Sequence, residues 1–352
     1  MSQKAVSHSQ ASSMGGGRGA LPVHKTQQPV QSRARTVTMQ DEHCIRMGEY
    51  ILRFEDGPEI GESFEERALR ELRETPERRA EALEQLRDLL RGEPGLVVPL
   101  DNEQFLLSYL RPCKFYPESA FERIKKMYKF RPKHAKYFMN LLPSRDKNVF
   151  EQCLLTVLPN RDQHGSRILM IEAGDKWKPK EVSLTELLRG VLLVLEAAIL
   201  EPRTQISGSI VLIDLRGLSM HHVWQFSPGF ASMIVEWVQE LIPCRIKAIH
   251  IVNQPYIFNM LFSIFKPFLQ EKLRNRIHFH GEDRASLLNH IDAKSVPTQY
   301  GGDMYLPHDQ GLELHRLLCL YDDQYQKTSE YGYVNINKQK GKDKKEKRIS
   351  ET

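Results

Sequence analysis

Five cations, Arg245, Lys247, Lys272, Arg274 and Arg276, bracket an apolar stretch running from Tyr256 to Leu269. Within it Ile257, Phe258, Met260, Leu261, Phe262, Ile264, Phe265, Phe268 and Leu269 leave a helix almost no polar face, whereas an ordinary surface helix carries one apolar stripe. Two kinds of chemistry are available there. Burying roughly 400 Å² of an apolar ligand at about 25 cal/mol per Å² is worth on the order of 10 kcal/mol before ordering costs. Each Lys or Arg beside an anionic membrane adds only about 1 kcal/mol. Capture of a ligand is therefore hydrophobic, and docking is electrostatic and reversible. The helix runs for only about a dozen residues before Pro267 interrupts it, short of the roughly 20 that span a bilayer. It must be core, a membrane-facing element or the wall of a greasy cavity.

Side chains with catalytic potential are not assembled by any motif. Neither Gly-x-x-x-x-Gly-Lys-Ser/Thr nor Gly-x-Gly-x-x-Gly follows a strand, and no Gly-x-Ser-x-Gly elbow occurs. Phosphate-cradling loops and the commonest serine hydrolase signature are thereby missing. His221-His222 falls in a loop without ligands at helical spacing, while His250, His278 and His280 fall on predicted strands, where packed imidazoles are the ordinary reading. Asp214 ends a strand, a position where α/β enzymes place functional groups. Cys44, Cys113, Cys153, Cys244 and Cys319 are odd in number and never at Cys-x-x-Cys spacing, which argues against a zinc site or a disulfide framework and fits a reducing cytosol. The expectation is a protein with no catalytic residue, no metal and no cofactor.

The elements that must hold these groups alternate. Strands are expected at 153–158, 168–171, 209–215, 245–252 and 277–280. Between them helices are expected at 183–200, from Ser227-Pro228 through Leu241, after Asn253 as cap with Pro255 early in the helix, and around 287–291. The strand from Arg245 to Val252 is nearly continuous in apolar residues, as strands buried on both faces are. Such alternation implies an α/β fold with a mainly parallel sheet and crossover helices. Upstream, Ser63-Phe-Glu-Glu66 reads as a capping box, and Thr75-Pro76, Asp101-Asn-Glu-Gln104 and Pro117 open further helices whose short links favour an antiparallel bundle. The apolar surplus predicts a lipid cavity between the sheet and the greasy helix. Its lining is expected among Leu187, Val191, Leu195, Val211, Ile213, Phe226, Phe230, Ile234, Ile249, Ile251, Phe258, Phe262 and Phe265. Each of these would also serve a plain core, and the set is what points to a cavity.

Ile249-His-Ile-Val-Asn-Gln-Pro255, Phe265-Lys-Pro-Phe-Leu-Gln-Glu-Lys272, Arg276-Ile-His-Phe-His-Gly281 and Tyr300-Gly-Gly302 carry a family likeness that, with the N-terminal helical region, covers about residues 60 to 305. The chain resembles the CRAL-TRIO family of lipid-transfer proteins, and within it the branch of the alpha-tocopherol transfer protein and the cellular retinaldehyde-binding protein. The resemblance implies the CRAL-TRIO lipid-binding fold preceded by a small helical bundle, with the greasy helix as a movable gate. It also implies that Lys272 and Arg276 contact phosphoinositide headgroups, with Arg245 and Lys247 matching basic positions on the adjoining strand. The segment Phe105-Leu-Leu-Ser-Tyr-Leu-Arg-Pro-Cys-Lys-Phe115 departs from the family's turn at Pro112 and at Cys113, where relatives carry a basic residue implicated in phosphoinositide contact. Arg111 and Lys114 keep charge nearby.

The 352 residues carry a net charge of +5, and the tail from Lys338 to Arg348 accounts for all of it, with seven Lys or Arg against Asp343 and Glu346. Such a run reads as a solvated tail before it reads as a nucleic-acid or lipid site. The expected organisation is a disordered tail at 1–45, a helical bundle at 60–135, the lipid-binding domain at 145–305, a C-terminal helix at 306–330 and a basic disordered tail at 331–352. Residues 1–40 hold no apolar run long enough for a signal peptide, and no stretch qualifies as a membrane span. The implied protein is a non-enzymatic cytoplasmic carrier of a small hydrophobic molecule (tocopherol, retinoid, sterol-like or phospholipid), touching phosphoinositide-containing membranes transiently and binding no nucleic acid. The rival reading is a scaffold that keeps the fold and holds protein partners.

Overall fold

The computed structural model describes residues 43–54, 61–307 and 310–334. Cys44–Met47 (β1) pairs antiparallel with Tyr50–Arg53 (β2), and Ile45, Met47, Leu52 and Phe54 from this hairpin are at most 3 % exposed in the main core. Residues 43–45 are thus part of the fold where the expected N-terminal tail was to extend. Two alternating apolar residues per strand carry too little period to be read before the core they fill is known. The remainder of that expected tail lies outside the described residues.

Four helices follow: Glu62–Arg67 (α1), which continues as a wider turn over Ala68–Leu72, then Pro76–Arg91 (α2), Glu103–Leu110 (α3) and Pro117–Lys133 (α4). Thr75 caps α2 by accepting from the Arg78 amide (3.2 Å), Asn102 caps α3 by accepting from the Phe105 amide (3.0 Å), and Pro117 takes the first position of α4. The capping box expected at Ser63 does not form. α1 starts at Glu62 with no side-chain cap, and Phe64 instead packs under the guanidinium groups of Arg161 and Arg203, 6.0 and 5.4 Å from its ring centre. Leu72, Leu86, Leu106, Leu107, Leu110 and Ile124 are fully buried among these helices. This helical region and the sheet region lie in one compact unit.

Leu96–Val97 (β3) leaves the helices to pair antiparallel with Gly332–Tyr333 (β9) near the end of the described chain. The central sheet has Leu155–Val157 (β4) antiparallel to Arg167–Glu172 (β5), after which Ser209–Asp214 (β6), Ile246–Val252 (β7) and Ile277–Gly281 (β8) follow in parallel, in that spatial order. Leu184–Leu200 (α5) and Pro202–Ser207 (α6) connect β5 to β6, Pro228–Glu236 (α7) connects β6 to β7, and Phe258–Phe265 (α8) with Glu271–Arg274 (α9) connects β7 to β8. Arg284–Leu288 (α10) follows β8. Ser183 and Glu186 form a reciprocal capping box at the start of α5. The C-terminal helix expected over 306–330 is two, Gly311–Cys319 (α11) and Asp322–Ser329 (α12). Residues 331–334, expected to begin the basic tail, belong to the fold because Tyr333 donates to Glu93 (2.7 Å) beside the β3 pairing. Residues 335–352 lie outside the described residues.

Period-2 alternation gives the sheet two unlike faces. Ile168, Met170, Ile210, Leu212 and Val252 face Leu287, Ile291, Val296 and Tyr300, all at 4 % exposure or less. Imidazoles extend this packed face at its β8 end. The rings of His250, His278, His280 and His290 lie 4.4–6.4 Å apart, His250 Nδ1 is 2.9 Å from His280 Nε2, and His280 Nδ1 is 2.8 Å from Ser286 Oγ. Burial and then the neighbouring imidazoles hold His250 down at about 3 and His280 at about 4, with Asp283 opposing the shift at His280. Because the unfolded chain takes up these protons near the ordinary value of about 6.5, folding stability is complete above that pH and falls as the pH drops toward 4. We expect the denaturation midpoint to fall between pH 7 and pH 5 with a slope of up to about 1.4 kcal/mol per pH unit for each buried histidine. His250→Asn should flatten that slope, as read by chemical denaturation at several pH values.

Candidate functional site

The opposite face of the sheet is built from two cross-strand rows, Leu169–Val211–Ile249–Ile277 and Ile171–Ile213–Ile251–Phe279. Val211 and Ile213 are on the middle strand with a strand on either side, yet both retain solvent-reachable surface, while Ile210 and Leu212 beside them are 4 % and 0 % exposed. Ile171, Ile249 and Ile277 are likewise only half-buried. A sheet face flanked by helices and filled to interior density would show none of this. This face is therefore less completely covered than the opposite one, although its residues pack against the neighbouring apolar clusters.

Three helices wall it. Leu187, Val191 and Leu195 recur at four-residue spacing on α5, Phe230 and Ile234 come from α7 with Phe226 just before it, and Phe258, Phe262 and Phe265 come from α8. Phe226 bridges two walls, with its ring 5.7 Å from Phe230 and 5.8 Å from Phe265. Twelve of the thirteen residues expected to line a cavity join the two apolar clusters on this face, and Val211 lies in the same row as Ile249. The apolar helix itself differs from expectation. α8 begins at Phe258 and gives way to a tighter turn over Lys266–Phe268, and Asn253 does not cap it. Asn253 adopts a left-handed backbone (φ +53°) at the end of β7 and donates to Asp214 Oδ1 (2.8 Å) while accepting from Arg284 (2.8 Å). Only Phe258 and Leu261 of α8 are buried, and Met260 and the preceding Tyr256 are exposed.

A second hollow, about 150 Å³, lies on the other side of α5, between it and α3, α4 and α12. Of the expected lining residues only Leu195 reaches it; Phe105, Tyr109, Tyr128, Phe138 and Trp237 supply most of the rest of its apolar wall. Sequence reading missed its most unusual member, Glu196, a single acid in an otherwise apolar stretch of α5. The residue keeps some area toward the hollow while the carboxyl is enclosed by protein. Burial raises its pKa, and among the described residues only Arg131 offsets this.

Of the four cations expected to meet an anionic headgroup, Arg245, Lys247 and Arg276 stand together where β7 and β8 start. Arg276 donates to the Ile246 carbonyl (2.6 Å) with the Arg245 charge beside it, and Lys272 is exposed on α9. Gly208 (φ +82°) makes the close approach possible, since a Cβ there would stand 2.2 Å from the Arg245 carbonyl oxygen. Arg245 and Lys247 both donate to Glu71 Oε2, at 2.6 and 3.1 Å, an acid from the turn after α1 that no local pattern places here. Burial pushes the Glu71 carboxyl up, but the Arg245 and Lys247 hydrogen bonds prevail and hold it at about 2. Lys247 is itself pulled down, by burial first and then by Arg245. At the Phe105–Phe115 turn, the charge that Arg111 keeps nearby is turned inward: it is 2 % exposed and grips Glu74 through two hydrogen bonds (2.9 and 3.0 Å) and Gln205 through a third (2.6 Å). Cys113 is buried.

The strand-end Asp214 is an anchor. Its carboxylate accepts from Asn253, from the Arg216 amide (2.9 Å) and from Tyr300 Oη (2.8 Å), tying β6 to β7 and to the Tyr300-Gly-Gly302 segment. His222 is held between the Trp177 carbonyl (2.9 Å) and Ser219 (2.9 Å). Among the described residues no group of three His, Cys, Asp or Glu side chains is arranged to hold a metal ion.

Sheet order, the crossover helices and the helical region before them define an α/β protein built on a mainly parallel central sheet. The sequence profile of the CRAL/TRIO domain matches residues 151–302. The chain is 39 % identical over 244 residues to "Alpha-tocopherol transfer protein-like" of Mus musculus, covering 69 % of this chain and 71 % of that one. It is 31 % identical over 276 residues to Clavesin-1 of Rattus norvegicus (77 % and 76 %) and 30 % identical over 274 residues to Clavesin-2 of Mus musculus (77 % and 82 %). The chain belongs to the CRAL/TRIO domain family.

Because the Glu196 proton is held more tightly in the folded state, this carboxyl lowers stability above its folded pKa and not below the unfolded one. Glu196→Gln should raise the melting temperature at pH 8 by roughly 2–4 °C, the equivalent of about 1 kcal/mol, with a smaller gain near pH 4. Equal gains at both pH values would show that the buried charge is not the cause.

Proposed function

We propose that the protein is a lipid carrier. It holds a small hydrophobic molecule against the open face of the sheet and exchanges it with membranes on which it docks through phosphoinositide headgroups. The observation that carries this reading is the half-open central strand, where Val211 and Ile213 keep reachable surface between two flanking strands and under helices. The relatives named for tocopherol transfer favour a cargo of that kind, among the tocopherol, retinoid, sterol-like and phospholipid candidates. No helix among the described residues is long and apolar enough to cross a membrane. Exposed Trp224, Tyr256, Met260 and Phe279 sit on or beside α8 and β8, so contact with the bilayer is shallow and reversible. α8 is the element that can move: it is short, only two of its side chains are buried, and a tight turn at Pro267 ends it. Arg245, Lys247, Lys272 and Arg276 supply the electrostatic part of docking, each worth about 1 kcal/mol at an anionic surface.

Lipid extraction and mass spectrometry of the purified protein should yield a co-purifying apolar molecule, and Ile213→Trp should remove it. In a filled core such an enlargement costs about 1–3 kcal/mol; in an open cleft the melting temperature should stay nearly unchanged. An empty wild-type protein, or a destabilised Ile213→Trp that still carries lipid, would refute the cleft as the binding site.

The joint Lys272→Ala and Arg276→Ala variant should deliver a fluorescent ligand to phosphoinositide vesicles more slowly while retaining it as well as wild type. Parallel loss of delivery and retention would dissolve the separation between docking and capture.

A further inference from the structure

The basic cluster already contains an anion. Glu71 Oε2 takes hydrogen bonds from Arg245 Nη2 (2.6 Å) and Lys247 Nζ (3.1 Å), while Glu71 Oε1 lies 3.9 Å from both Arg67 Nε and Arg70 Nη2. Arg276 adds a further positive charge beside Arg245. Four cations thus lie within 4 Å of one carboxylate, with Arg276 behind Arg245 as a fifth. The pair is not sealed: the side chains of Glu71 and Lys247 are 26 % and 30 % exposed, and that of Arg70 is 68 % exposed, so the site opens to an approaching surface.

We propose that Glu71 is a specificity determinant, an internal anion that a membrane headgroup must displace and that sets how much charge the headgroup must carry. This rests on the docking role assigned above to Arg245 and Lys247. A tethered carboxylate competes at an effective concentration in the millimolar range or above. A headgroup of one net negative charge, such as phosphatidylserine, offers nothing that Glu71 does not already supply. A phosphomonoester carries about 1.5 to 2 negative charges and three acceptor oxygens, and a bisphosphorylated inositol carries two such groups. Only the latter matches the excess of cations, and in doing so it releases Glu71 and the turn that bears it from β7. Glu71 stays ionised throughout the physiological range, since hydrogen bonds from the two cations prevail over the effect of burial and hold it at about 2. The threshold is therefore set by charge on the lipid and not by protonation of Glu71.

The test compares flotation with phosphatidylcholine vesicles containing either phosphatidylinositol 4,5-bisphosphate or phosphatidylserine, matched in total charge. Wild type should bind the former and discriminate against the latter. At a lipid concentration at which wild type is already nearly fully bound to the bisphosphate vesicles, Glu71→Gln should gain about tenfold in affinity for phosphatidylserine vesicles, equivalent to about 1.4 kcal/mol, so that the difference in the fraction floated narrows. Glu71→Asp should restore discrimination, and thermal melts of both variants control for folding. An unchanged fraction of Glu71→Gln on phosphatidylserine vesicles overturns the assignment while leaving docking intact. Wild type that binds neither vesicle, or binds both independently of Arg245→Ala and Lys247→Ala, removes the docking reading and the Glu71 threshold with it.

Discussion

A mainly parallel sheet has to be covered on both faces, and here the two faces are covered to different degrees. One is closed by Leu287, Ile291, Val296 and Tyr300 against Ile210 and Leu212. The other carries Val211, Ile213 and Ile249, which stay only half-buried beneath their helices. Because side chains alternate along a strand, moving one residue along β6 passes from solid interior to open cleft. The packed face supplies stability, which leaves the other free to remain incompletely filled. A cavity costs stability in proportion to its size, so an apolar cleft persists only in a fold whose remaining contacts are sufficient.

Polar contacts fix the frame around that cleft. Asp214, Asn253, Arg284 and Tyr300 join the ends of β6 and β7 to the segment that closes the packed face, and each of those four groups is at least partly buried. On the far side of the chain, Glu201 with Arg167, Arg161 and Thr204 forms a buried network at the junction of α6 and β5. Desolvated charges of this kind contribute little net stability but are costly to leave unpaired, so they specify one arrangement of the elements. α8, by contrast, is held by Phe258 and Leu261 alone among its fully buried side chains, and it lies where the frame ends.

Charge is arranged with the same asymmetry. The interior acids are paired or, at Glu196, offset by Arg131, whereas the cluster at the start of β7 has more cations than its one carboxylate can satisfy. The lowering of Lys247 by burial and by Arg245 is a mark of that excess. An excess of like charge held together by backbone contacts, such as the Arg276 bond to the Ile246 carbonyl, stores attraction for a polyanion without the cations having to be gathered at the moment of binding.

The order of strands and helices, the cap at Thr75 and the apolar residues that share one face of the sheet were legible in the sequence, because each follows from local periodicity or from a side chain bonding to a backbone group a few residues away, whereas the cap of α3 fell on Asn102 within the expected Asp101–Gln104 run. Family motifs did the same for the order of the pieces around Asn253, Lys272 and Tyr300. Other features arise only on folding. The β1–β2 hairpin is defined by the core it completes, and Asn253 leaves the helix it could have capped because Asp214, 39 residues earlier, and Arg284, 31 residues later, hold its amide. Glu71 meets Arg245 across 174 residues, and Glu196 faces a hollow formed by three other helices. Sequence spacing determines which side chains share a face. Tertiary packing decides which distant charges meet and where space is left unfilled, because both depend on contacts between elements that no local pattern records.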